Sequence, residues 1–292
     1  MKKHFGRVRE LVLYDFPNDL FHQIPSPQTN FRSLEALVIL NDRLRAELNP
    51  QFCPIDWNCK FLQGLTHLRL VHLPECCKLG CYDFALVLSK IPTLEILDLY
   101  GFLLADEGVQ THRAAKVHLQ HLQQLHVASL IPEMAQFLPY LIVPRSCKVD
   151  LRTWQEYDAT CDGFRAILSW VLNQFRVPTK TSDASSSHEQ CIRSLHLLHN
   201  PEDTDFKVKG FCDVLSRERP ETADPILTFV VGWIYHDRNF HSNLRTFLSL
   251  LPLGGVAFLE VVADLDVDLS PEFRTVAFGS IQTLKTIYLE RR

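Results

Sequence analysis

No stretch of this sequence is apolar for long enough to cross a bilayer as a helix. The longest, Ile226 to Tyr235, is interrupted by Thr228 and Gly232 and reaches about half of the roughly 20 residues such a helix needs. An export signal is missing as well. The segment Met1-Lys-Lys-His-Phe-Gly-Arg-Val-Arg9 is basic, but the apolar run behind it, Leu11 to Leu13, is far shorter than a signal-peptide core. Neither sign of charge is in surplus. Thirty Lys and Arg against 34 Asp and Glu leave a formal charge of -4, with no basic run to neutralise phosphates, so neither a nucleic acid nor a membrane is expected as a partner. Gly-x-Ser-x-Gly, Gly-x-x-x-x-Gly-Lys and Gly-x-Gly-x-x-Gly are all absent, and Ile192 stands where a zincin helix opened by His188-Glu189 would need its second histidine. The minimal signatures of serine hydrolases, nucleotide and dinucleotide binders and zinc proteases are therefore missing. There is no Asn-x-Ser/Thr acceptor, and nine cysteines, with Cys76 and Cys77 adjacent, make an odd number. Reduced thiols in the cytoplasm or nucleus are the expectation over a disulfide framework.

What remains is globular in kind. The chain has 292 residues, 46% of them apolar and 22% charged, which is ample for a sizeable core. One segment, Pro178 to Gln190, is polar and lacks aromatic and large aliphatic residues, so residues 178–190 are expected to be a mobile surface loop.

Searching the chain against itself reveals a six-residue unit of apolar, two variable, apolar, one variable, apolar. It reads Val8-Arg-Glu-Leu11-Val-Leu13, Leu34-Glu-Ala-Leu37-Val-Ile39, Leu65-Thr-His-Leu68-Arg-Leu70, Leu94-Glu-Ile-Leu97-Asp-Leu99 and Leu122-Gln-Gln-Leu125-His-Val127, with start-to-start spacings of 26, 31, 29 and 28. A weaker copy is Ser146-Cys-Lys-Val149-Asp-Leu151. The pattern resumes at Ile192-Arg-Ser-Leu195-His-Leu197, Thr228-Phe-Val-Val231-Gly-Trp233, Val256-Ala-Phe-Leu259-Glu-Val261 and Leu284-Lys-Thr-Ile287-Tyr-Leu289, at spacings of 36, 28 and 28. This is the LxxLxL core of a leucine-rich repeat, in which each short strand turns alternate leucines into a core that only stacked neighbours can close. The expectation is one α/β domain over residues 1–292, a leucine-rich-repeat solenoid with a curved parallel sheet of short strands, helices on its convex side, and irregular repeats of about 24–36 residues.

Periods near 28 leave room for a helix in each unit, which returns the chain for the next parallel strand. Tyr82 to Lys90 places Phe84, Val87 and Leu88 on one side. Glu133 to Leu141 offers Met134, Phe137, Leu138 and Leu141 after Ile131-Pro132, a proline suited to the first turn. Ser242 to Leu251 and a segment opening at Ser270-Pro271 follow the same logic, and the longest helical pattern, Cys161 to Phe175, interrupts the period, so residues 152–191 form an irregular unit. Asn41 to Lys60, with Pro50 and Pro54, reads as a long connection with at most a short helix.

Phe31-Arg-Ser-Leu-Glu-Ala-Leu-Val-Ile39, Ile91-Pro-Thr-Leu-Glu-Ile-Leu-Asp-Leu99 and Leu130-Ile-Pro-Glu-Met-Ala-Gln-Phe-Leu-Pro-Tyr-Leu141 resemble the repeat region of the F-box leucine-rich-repeat proteins abundant in mushroom-forming fungi. The resemblance covers essentially the whole chain. It implies that the repeats capture the substrate of a ubiquitin ligase while an F-box binds the ligase adaptor. The first strand unit begins at Arg7, so an F-box, and with it adaptor binding, would have to lie outside this chain.

With leucines facing inward, the variable positions between them face the groove. The central stripe reads Val12, Val38, Arg69, Asp98, His126, Asp150, His196, Gly232, Glu260 and Tyr288, flanked by Glu10, Tyr14, His67, Tyr100, Gln124, Lys148, Arg152 and Glu290. Of these, Tyr14, His67, Arg69, Asp98, Tyr100, His126, Asp150, His196, Glu260 and Tyr288 are the candidate contacts for a protein partner, since aromatic and arginine side chains dominate interface energetics. A structural alternative is that Arg69, Asp98, His126 and Asp150 simply satisfy one another across strands. The functional reading is thus a non-enzymatic interaction protein without a cofactor. Its alternative is a Cys/His-dependent enzyme or zinc protein using Cys53, Cys59, Cys76, Cys77 and Cys81, near His67 and His72, although only Cys77 and Cys81 approximate zinc-ligand spacing.

Overall fold

The computed structural model describes residues 8–14, 33–41, 57–58, 60–106, 116–155, 161–175, 192–200, 205–212, 224–233, 256–263 and 285–291. The protein is α/β with mostly parallel strands and few helices among the described residues, and it divides into two compact units, Met1–Pro144 and Arg145–Arg292.

In the first unit, β1 (Glu10–Tyr14), β2 (Ala36–Leu40), β3 (His67–Val71), β5 (Ile96–Tyr100) and β8 (Gln124–Leu130) lie side by side, all parallel. The apolar pattern sets their register. Leu11, Leu37, Leu68, Leu97 and Leu125 form one row across the strands, and Leu13, Ile39, Leu70, Leu99 and Val127 a second. The first leucines of the units, Leu34, Leu65, Leu94 and Leu122, are buried too. A slip of one residue would turn both rows toward water, so the register is strongly specified.

Ahead of the strands the backbone repeats a second device. The N–H groups of Glu35 and Ala36 both donate to the carbonyl of Arg9, those of Thr66 and His67 to Glu35, those of Glu95 and Ile96 to Thr66, and those of Gln123 and Gln124 to Glu95. Each carbonyl belongs to the second position of its repeat and receives two donors from the next one.

Two helices, α1 (Cys81–Leu88) and α2 (Ile131–Phe137), return the chain between strands. Phe84, Val87 and Leu88 of the first and Met134 and Phe137 of the second are buried, with Leu138 and Leu141 just beyond, as their spacing predicts. Pro132 stands in the first turn of α2, where its missing N–H costs nothing. Trp57, Phe84 and Phe102 meet edge to face, with centroids 4.7 to 6.2 Å apart, and Phe137 lies 5.8 Å from Phe84. Two short ladders, β4 (Leu79–Gly80) with β6 (Leu103–Leu104) and β7 (Val117–His118) with β9 (Leu141–Ile142), link successive connections. At the start of α1 the Tyr82 N–H donates to Asp106 Oδ2 at 3.2 Å, and a Cβ on Gly80 would come within 2.4 Å of Asp106 Oδ1, so a side chain there would displace the carboxylate.

In the second unit the order is β10 (Lys148–Gln155), β13 (Leu227–Trp233), β12 (Asp205–Phe211), β11 (Ser194–Asn200), β14 (Phe258–Ala263) and β15 (Thr286–Arg291). Here the sheet departs from the expected all-parallel order. The spacing of 36 hides an additional strand, β12, which runs antiparallel to both β11 and β13. Val208 and Phe211 are buried and Gly210 packs so tightly that a Cβ would meet Ile192 Cδ1 at 2.9 Å. The register of β13 also differs from expectation: Asp150 pairs with Thr228, whereas Gly232 pairs with Trp154. Leu227, Phe229 and Val231 form its buried side, so the central open position is Thr228 and not Gly232. The repeat device continues past this insertion, because Ala257 and Phe258 donate to Arg193, and Lys285 and Thr286 to Ala257.

Helix α3 spans Cys161–Phe175, the expected bounds, and buries Phe164, Ile167, Leu168, Trp170, Val171 and Phe175; Phe164 lies 5.9 Å from Phe229 of β13. In the connection 41–60, the described part ends in a 3-10 turn that starts at Lys60 and runs to Gly64. The expected loop 178–190 and the helices expected at 242–251 and from Ser270 lie outside the described residues.

Candidate interaction face

Strand alternation that buries the leucines delivers the intervening side chains to the opposite, open face. In the first unit the register aligns Val12, Val38, Arg69, Asp98 and His126 in one row. Three of them meet at one carboxylate. Arg69 Nε lies 2.8 Å from Asp98 Oδ2, and His126 Nδ1 lies 3.0 Å from Asp98 Oδ1, so each carboxylate oxygen takes one cross-strand donor. The Asp98 side chain is 17% exposed and that of Arg69 54%. Beside this row, His72 meets the Tyr100 ring edge to face at 4.6 Å, and His67 Nδ1 shares a 2.7 Å hydrogen bond with Thr66 Oγ1. Tyr14 and Val12 on β1 are exposed at 68% and 52%.

The second unit carries its own row: Asp150, Thr228, Lys209, His196, Glu260 and Tyr288, each in register with the next. Asp150 pairs with Arg152 on its own strand, Oδ2 to Nη2 at 3.1 Å, and Lys148 pairs with Asp224. Tyr288 is placed by its backbone opposite Glu260; its side chain lies outside the described residues. Sequence reasoning missed Thr228 and Lys209, which enter the row only through the unforeseen strand β12 and the revised register of β13.

His196 departs from the expectation of a groove-facing contact, since it is only 5% exposed. Ser194 pairs with both Phe211 and Phe258, so those two rings flank the histidine on its own face, with centroids at 4.7 and 5.9 Å. Its Nδ1 sits 2.9 Å from Glu260 Oε2, and its buried Nε2 makes no hydrogen bond among the described residues. Burial first, and Lys209 second, hold its pKa down to about 4. The imidazole is therefore neutral at pH 7, with its Nδ1 set against the Glu260 carboxyl group.

Of the cysteine cluster, Cys77 and Cys81 are buried thiols, while Cys53 and Cys59 and the side chain of Cys76 lie outside the described residues. Cys81 Sγ donates toward the carbonyls of Leu104 at 3.2 Å and Glu133 at 3.3 Å. Burial, followed by the nearby Asp106 and Glu133 carboxylates, pushes its pKa up, the opposite of what an activated nucleophile needs. Cys147 is buried, with Sγ 3.5 Å from the Lys148 carbonyl. Among the described residues no three His, Cys, Asp or Glu side chains converge as a metal site, and no described helix is long and apolar enough to cross a membrane.

Compared with protein-family models, curated proteins and solved structures, the chain finds no match in any of the three.

Proposed function

We propose that the chain is a non-enzymatic protein-interaction module built as a leucine-rich-repeat solenoid, and that its partner docks on the open faces of the strands. The observation that carries this reading is the in-register row of Arg69, Asp98 and His126, presented on the side opposite the two leucine rows. The paired donation to second-position carbonyls, which recurs from Arg9 to Glu95 and again at Arg193 and Ala257, supports a stacked-repeat architecture. The role that fits best is substrate recognition in an F-box-type ubiquitin-ligase receptor acting in the cytoplasm or nucleus, with the adaptor held by an F-box outside this chain.

The test is affinity capture by the purified chain and by a variant with Arg69, Tyr100 and His126 replaced together. A defined set of proteins lost on the triple replacement, at unchanged circular dichroism and unfolding midpoint, supports the reading. Retention of the same proteins by the variant removes the open face as the binding surface. Ligase membership stands or falls separately, on whether the natural full-length product co-purifies with the adaptor.

A further inference from the structure

Arg69 is held in a manner suited to receiving a carboxylate. Its Nε engages Asp98, and its two terminal amino groups make no hydrogen bond among the described residues, although the side chain is half-exposed. Asp98 cannot swing away without giving up His126 on its other oxygen. The guanidinium is thus oriented before any ligand arrives, and its terminal amino groups keep the donor spacing that matches a carboxylate bidentately. Fixing it beforehand lowers the entropy lost on binding.

An apolar patch borders this fork. Val12 and Tyr14 are the large apolar side chains most exposed among the described residues, and their in-register neighbours Val38 and Leu40 are half-buried. Val38 in turn is the register neighbour of Arg69. Two strand spacings, about 10 Å, separate the Val12 position from that of Arg69, the length of about three extended residues. With Asp98 and Glu10 also on this face, it suits one carboxylate placed at Arg69 and disfavours a run of negative charge such as a polyphosphate, while Glu10, two residues from Val12, leaves the β1 end to the apolar side chain.

We infer that the open face of the Met1–Pro144 unit takes an acidic peptide segment of its partner, with an Asp or Glu carboxylate on the Arg69 fork and a large apolar side chain over Val12, Tyr14, Val38 and Leu40. This rests on the interaction reading above and specifies the partner's chemistry.

The probe is a random library of 15-residue peptides, unphosphorylated and phosphorylated, screened against the full chain. The expected binders carry Asp or Glu within about four positions of a large apolar residue. Arg69→Gln lowers their affinity about tenfold or more. Val12→Asp, at an exposed position and compared at unchanged circular dichroism, does the same, and Arg69→Glu turns the selection toward Lys and Arg. Binders that are basic, that require phosphate, or that ignore both Arg69→Gln and Val12→Asp overturn the inference, as does a library that yields no binder. If the inference fails while the triple replacement still abolishes capture of folded partners, the interaction reading stands alone; if capture also survives the triple replacement, both fall.

Discussion

Arg69 on β3 and Asp98 on β5 are register partners whose side chains close a 2.8 Å ion pair across adjacent strands, and His126 on β8 completes it from the other side. Because Arg69 is half-exposed, the pair contributes little to stability, under about 1 kcal/mol. Its effect is on orientation. Asp98→Asn is expected to shift the urea midpoint only slightly while releasing the arginine, so that capture of the partner weakens more than the fold does. A loss of stability well above about 1 kcal/mol by chemical denaturation would show that the triad is chiefly a structural element.

The cap on α1 makes a second prediction. Asp106→Ala leaves the Tyr82 N–H without its acceptor and is expected to cost about 1 kcal/mol, read as a lower urea midpoint at unchanged slope. Gly80→Ala brings a Cβ against the same carboxylate and destabilises as well. In the double variant the two losses combine to less than their sum, since the methyl no longer meets Asp106 Oδ1.

Acid should loosen the second unit through His196. Its folded pKa of about 4 lies below the ordinary 6.5, so the unfolded chain takes up the proton first. The stabilisation is complete above about pH 6.5 and is lost as the pH falls from there toward about 4, by on the order of 1 to 3 kcal/mol. Urea midpoints at about pH 7, 5.5 and 4.5 measure this, and His196→Gln is expected to flatten that part of the profile. An identical acid profile in the variant would assign the loss to other groups.

A Cβ on Gly210 would stand 2.9 Å from Ile192 Cδ1 and 3.2 Å from its Cγ1, so the isoleucine would have to shift inside a buried site. Gly210→Ala is therefore expected to destabilise by about 1 to 3 kcal/mol, and by less in an Ile192→Val background, where the δ-methyl is gone. Thermal unfolding of the four proteins of the cycle gives the answer.

The strands of the first unit were readable because one short pattern fixes both the element and its register: Leu37, Leu68, Leu97 and Leu125 stand in the row their spacing implies. The limits of that reading are equally specific. In β12, Phe206, Val208 and the two lysines between and after them alternate with period two, which marks a strand but matches no six-residue leucine unit. In β13 the position equivalent to a first leucine is Asp224, so a pattern search slides four residues onward to Thr228. His196 looked like a groove residue because Phe211 becomes its neighbour only once β12 is in place. The burial of Phe84 follows from its helical spacing, but Trp57 and Phe102, which meet its ring and each other, come from connecting segments where no periodicity announces a contact.

The reversal of β12 bears on how the two units acquire their structure in time. Strands of the first unit find partners one repeat away along the chain, as Glu10 does at Ala36. In the second, Asp150 must wait for Thr228, with α3 and the β11–β12 hairpin synthesised in between. Closing the longer loop costs more entropy before any pairing compensates it, and non-local pairing slows folding. The edge of β10 that β13 covers therefore stays open longest during synthesis, able to recruit another chain while its own partner is still being made.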